Sequence, residues 1–138
     1  MRVAWVVPCE RLIEQPEAGS IADGFALTEA VVESLPTVIH LTLAIRLLVT
    51  KDDLSKSYRV VFDVVGPAKE VVHTHGGPLQ LGLVSPLFQT QFENGEEIAT
   101  DSSGVLEFEV HTTGPHSIIV SVDGAAAPPV PLWVTMGG

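Results

Sequence analysis

Hydrophobic residues in this chain recur mostly at every second position. The clearest case runs from Val38 to Thr50, where Ile39, Leu41, Leu43, Ile45, Leu47 and Val49 alternate with His40, Thr42, Ala44, Arg46, Leu48 and Thr50. Successive side chains of a strand point to opposite faces, so this period of two predicts one long strand with a buried and an outer face. At about 3.3 Å per residue it would span about 40 Å, long for one strand, so a bend or bulge within it is expected. The polar turn Lys51 to Lys56 leads to an expected hairpin partner, in which Tyr58, Val60, Phe62 and Val64 alternate with Arg59, Val61 and Asp63. Gly66-Pro67 closes that strand.

Shorter stretches continue the theme. Val3 to Val7 reads as a first strand ended by Pro8, Cys9 to Ser20 as a loop, and Ile21 to Leu27 as a strand with a bulge at Gly24. Thr28 to Ser34 reads as helix or irregular chain, stopped by Pro36. In the second half, Glu70 to His73 precedes a Gly76-Gly77-Pro78 turn, and Leu79, Leu81 and Leu83 alternate. Phe88 to Phe92 comes before the tight-turn pair Asn94-Gly95. Leu106, Phe108 and Val110 face one way and Glu107 and Glu109 the other. Ile118, Val120 and Val122 follow Gly114-Pro115, Asp123-Gly124 turns the chain, and Leu132 to Thr135 closes it after an Ala/Pro connector. About eight or nine short strands without strand–helix alternation predict an all-β, antiparallel two-sheet sandwich, with a small β-barrel as the alternative. At 138 residues the chain is expected to be a single domain, 1–138.

Composition narrows the function classes. The net charge is −10, and no Lys or Arg follows Lys69. A phosphate-binding surface needs clustered cations, so nucleic acid and anionic membranes are excluded as expected partners. An acidic surface suits a solvated exterior or a basic protein partner. The lone Cys9 can form no internal disulfide, and no apolar run approaches a signal or a membrane span, so a cytoplasmic location is expected.

Several segments together resemble a bacterial family of small stand-alone proteins, known as a domain of unknown function. These are the early Cys9, Ile-x-Asp-Gly-Phe at Ile21 to Phe25, Leu35-Pro36-Thr37 entering the long strand, Gly114, Val122-Asp123-Gly124, and Pro131-Leu132-Trp133-Val134. His116 stands where that family usually has Tyr, an aromatic core anchor. The resemblance implies an immunoglobulin-like sandwich in a cytosolic bacterial protein, and it implies no activity.

The most chemical-looking element is His73-Thr74-His75. Two His at i and i+2 of a strand share a face and could chelate a metal, given a third ligand from His111, His116, Asp101 or Cys9. The plainer reading is a polar strand end running into the glycine turn. Cys9 reads as a small buried hydrophobe. Asp101, Ser102, Ser103 and His111 supply hydrolase residue types without a nucleophile elbow. Asp52-Asp53 and Glu96-Glu97 read as solvated turn carboxylates. Trp5 and Trp133 would form one core cluster if the first and last strands were neighbours, or else an exposed aromatic platform. No catalytic residue and no cofactor is assigned. The expectation is a non-catalytic protein-interaction or assembly module, acting on another protein or on itself. The alternative is a metal-dependent or small-molecule-binding domain using His73 and His75.

Overall fold

The computed structural model describes residues 1–9, 11–15, 19–23, 29–79 and 97–137; for 11–15 and 19–23 it describes the backbone path. The expectations placed on Gly24, Leu81 to Leu83, Phe88 to Phe92 and Asn94-Gly95 lie outside these residues.

The alternating segments form strands that build two facing sheets, not closed into a barrel. The smaller sheet has the order β1 (Arg2–Cys9), β5 (Thr37–Val49), β8 (Ile98–Val110). The larger runs β4 (Glu29–Val32), β11 (Val130–Met136), β9 (Gly114–Val122), β6 (Arg59–Val65), β7 (Val71–Pro78), with the short β10 (Ala125–Ala126) also paired to β9. A separate hairpin joins β2 (Arg11–Gln15), in the region expected to be loop, to β3 (Gly19–Asp23), which runs into the start of the strand expected from Ile21.

One core lies between the two sheets. Leu41, Leu43, Ile45 and Leu47 of β5 and Leu106 and Phe108 of β8 meet Phe62, Val64, Ile118, Val120, Leu132 and Val134 from the other side. Their aliphatic side chains leave water almost completely, which is the main source of stability in a fold with so few aromatics.

Where the structure departs from the pattern, pairing partners account for it. β5 keeps an unbroken register with β8 from Thr37↔Val110 to Val49↔Ile98, so it holds no bulge. The irregularity sits in β1 instead, between Val3 and Trp5. β1 also runs through Pro8, because an edge strand has backbone N–H groups that need no ladder partner. β6 is not the hairpin partner of β5: the turn Lys51–Ser55 is a 3₁₀ segment that carries the chain into the other sheet, where β6 pairs β9 and β7. The stretch read as helix or irregular chain holds β4, parallel to β11, followed by a cis Leu35-Pro36 peptide. The Asp123-Gly124 turn has both residues at positive φ, as such a tight hairpin requires.

Candidate interaction surface

The chain continues straight through Gly76-Gly77-Pro78 as part of β7, so the expected turn there is absent. A Cβ at Gly76 would stand 2.7 Å from Nη2 of Arg59, whose flexible side chain lies across it. Alternation then puts His73 opposite Val64 and His75 opposite Phe62, on the side facing the smaller sheet. The His75 ring stacks on Phe62 with centroids 6.4 Å apart, and the His73 ring lies 6.3 Å from that of Phe108. Both imidazoles therefore cover the edge of the core.

The residues offered as a third metal ligand are engaged elsewhere. Cys9 is buried and its thiol donates to the Thr42 carbonyl at 3.5 Å. Asp101 is held by Arg46, and His111 lies 3.1 Å from Glu109. His116 is buried, its Nδ1 3.1 Å from the Gly114 carbonyl oxygen, so an imidazole fills the position where Tyr was the family expectation. Among the described residues no three His, Cys, Asp or Glu side chains come together to hold a metal.

One carboxylate read as solvated is buried. Asp53 accepts from the Thr50 amide at 2.8 Å, the Thr50 hydroxyl at 3.1 Å and the Tyr58 hydroxyl at 3.1 Å, and pairs with the Met1 ammonium at 3.0 Å. The Thr50 amide bond, aided by the ammonium and the two hydroxyls and opposed by burial, holds its carboxyl well below the usual carboxylate range. Burial and the bond to Asp53 push the Tyr58 hydroxyl up. The spacing Thr50-x-x-Asp53 is the signal that could have revealed this cluster, since it lets a side chain bond back to the turn it closes. The cluster ties the start of β1 to the crossover between sheets. Beside it lies a half-open cleft of about 430 Å³ lined by Val3, Tyr58, Val122 and Ala125 to Pro128.

The expected tryptophan core cluster does not form. Trp5 and Trp133 belong to different sheets and are 38% and 52% exposed. The β1 bulge sets Trp5 opposite Arg46, on the outer face of the smaller sheet, while Val3 and Val6 take the inward positions. Trp133 lies between the fully buried Leu132 and Val134, so alternation sends it outward.

The two outer faces differ in chemistry. That of the smaller sheet carries charge beside the exposed Trp5, Val38 and Val105: Arg46 binds Asp101 through two bonds of 2.8 and 3.1 Å and lies 5.1 Å from the Trp5 ring centroid. His40 approaches Glu107 on the same face. The outer face of the larger sheet mixes apolar side chains with Ser117 and Ser121 of β9, Thr135 of β11 and Thr74 of β7. Val31 on β4 and Trp133 and Pro131 on β11 are exposed; Pro115 and Ile119 on β9 and Val61 and Val65 on β6 continue the face to the exposed Val71 on β7. Register makes these neighbours, with Trp133 opposite both Pro115 and Glu29, and Val65 opposite both Ser117 and Val71. Its charged side chains among the described residues are Glu29, Arg59 and Asp63, and Asp63 accepts a bond from Thr74 at 2.7 Å.

No protein-family model matches the chain, and no curated protein matches it. Among solved structures it is similar to Pseudomonas fluorescens alkylpurine DNA glycosylase AlkC bound to DNA containing an abasic site analogue. The identity is 12%, the TM-score 0.43, and the match covers 94% of this chain and 30% of that one. This chain thus spans about a third of that chain's length, in a likeness too slight to bear on function.

Proposed function

We propose that this chain is a non-catalytic protein-interaction or assembly module, built as an immunoglobulin-like sandwich and working in the cytoplasm. The strand order supports the immunoglobulin-like reading. One sheet holds β1–β5–β8 and the other β11–β9–β6, with the first edge divided between sheets so that β4 runs parallel to β11. The unbridged, buried thiol of Cys9 fits a reducing compartment.

The observation that carries the functional reading is Trp133, half-exposed on the outer face of the larger sheet beside the exposed Pro131 and Pro115. Large aromatics are enriched at the centres of protein interfaces because they bury much surface at little conformational cost. Exposed apolar residues gathered on one face are a common mark of association.

The test compares complexes formed by wild-type and Trp133→Glu chains in lysate of the source organism, read by quantitative mass spectrometry. The reading expects a stoichiometric protein, this chain included, that Trp133→Glu loses and Trp5→Ala keeps. Identical profiles for all three chains would refute it.

A further inference from the structure

We infer that the half-open cleft between the start of β1 and the turn from β9 to β10 binds a small organic ammonium ion, a compact apolar body carrying one protonated amine. The inference concerns residues other than Trp133 and stands apart from the interaction reading above. Val3 of β1, Val122 of β9, Ala125 to Ala127 and Pro128 supply the apolar walls, with Tyr58 beside them. Ala and Pro side chains have no rotamer freedom to lose, so these walls are formed before a ligand arrives. The volume of about 430 Å³ lies at the small end of the range of ligand sites, about 300 to 1,000 Å³.

Charge selects the ligand. Met1, Arg2 and Asp123 also line the cleft. Both cations are already matched, the Met1 ammonium by Asp53 at 3.0 Å and the Arg2 guanidinium by Glu97 through two bonds of 3.0 and 3.2 Å. Asp123 pairs with no cation among the described residues. Its Oδ1 accepts from the Arg59 backbone amide at 2.8 Å, while the Arg59 guanidinium lies across Gly76 of β7, on the opposite side of β6 from β9. Two cations against three carboxylates leave one negative charge, that of Asp123. Burial comes first among the causes that push the Tyr58 hydroxyl up, then the bond and charge of Asp53, and the Asp123 charge adds to them, so it is felt inside the cleft.

A chain of net charge −10 also gathers cations and repels anions around such a site. On one apolar skeleton the order of preference is therefore amine, then alcohol, then carboxylate: the alcohol forgoes the ion pair and the carboxylate meets repulsion. Added salt screens the difference between them.

The experiment titrates the purified, isotope-labelled full chain with phenethylamine, phenethyl alcohol and phenylacetate at low and high sodium chloride, followed by amide NMR shifts. The expected result is saturable shifts at Val3, Tyr58, Val122 and Ala125 to Ala127. At low salt the amine binds about fivefold more tightly than the alcohol and the carboxylate binds weakest, and high salt narrows the gap. Asp123→Asn keeps an acceptor for the Arg59 amide and a residue that tolerates the positive φ of this turn. It should abolish the gap between amine and alcohol and leave alcohol binding unchanged. The order of the three ligands on the wild-type chain tests the charge assignment even where the variant melts early. No saturable shift at the cleft, shifts centred elsewhere, another order of ligands, or a gap that survives Asp123→Asn overturns the inference. The lysate comparison on Trp133→Glu reads a different surface, so the two readings fail separately.

Discussion

Gly104 of β8 and Phe62 of β6 meet across the two sheets so closely that a Cβ on Gly104 would stand 2.5 Å from Cζ of Phe62. The ring fills the space that a side chain at position 104 would need, and both neighbouring sheets hold it there. Gly104→Ala should therefore overpack the core and destabilise the chain by about 1–3 kcal/mol, measured by urea denaturation. Phe62→Leu in the same chain should recover part of that loss. Additive effects would show that the two residues do not share one space.

Asp53 predicts an acid-sensitive stability. Its folded carboxyl titrates below the ordinary unfolded value of about 3.9. The folded state thus favours the ionised form, and the contribution is present above that unfolded value and lost as pH falls below it. Asp53→Asn should flatten the slope of stability against pH between about 5 and 2. It should also cost about 1–3 kcal/mol at neutral pH, because the Met1 ammonium loses its counter-charge and the Thr50 amide its strong acceptor. Denaturation midpoints across that range give the measurement; an unchanged slope would contradict the cluster.

Arg46 ties Asp101 and lies against Trp5, but the pair is partly exposed, with side-chain exposures of 42% and 29%. A double-mutant cycle on Arg46→Ala and Asp101→Ala should give a coupling of no more than about 1 kcal/mol, falling with salt. Arg46→Lys should lose most of it, since an ammonium cannot make the two parallel bonds.

Trp5 and Trp133 should both emit as solvent-exposed indoles and both be quenched by acrylamide. Trp133→Phe and Trp5→Phe separate the two signals.

Much of the fold was legible wherever one face of a strand is buried and the other wet. β5, the second half of β8, β9 and β11 alternate in sequence as they alternate in burial. β4 was not legible: its four residues carry too little periodicity, and its pairing with β11, about a hundred residues away, is what makes it a strand. The candidate surface was half legible. The two tryptophans stood out, but their orientation depended on a bulge in β1 and on the phase of β11. His73 and His75 did share a face, as their spacing required, yet that face was already occupied by Phe62 and Phe108.

By itself, the sequence determined that this protein is built from strands, because the period of its apolar residues is a local property of the covalent chain. It also determined the acidity and the scattering of its cations. Which strands are neighbours, which side of the larger sheet holds Trp133 exposed, and that Asp53 is buried under Tyr58 and Met1 were decided only by the tertiary structure. Those facts depend on contacts between residues far apart in the chain, and alternation fixes only that two faces differ, leaving the packing of the sheets to choose which one meets water.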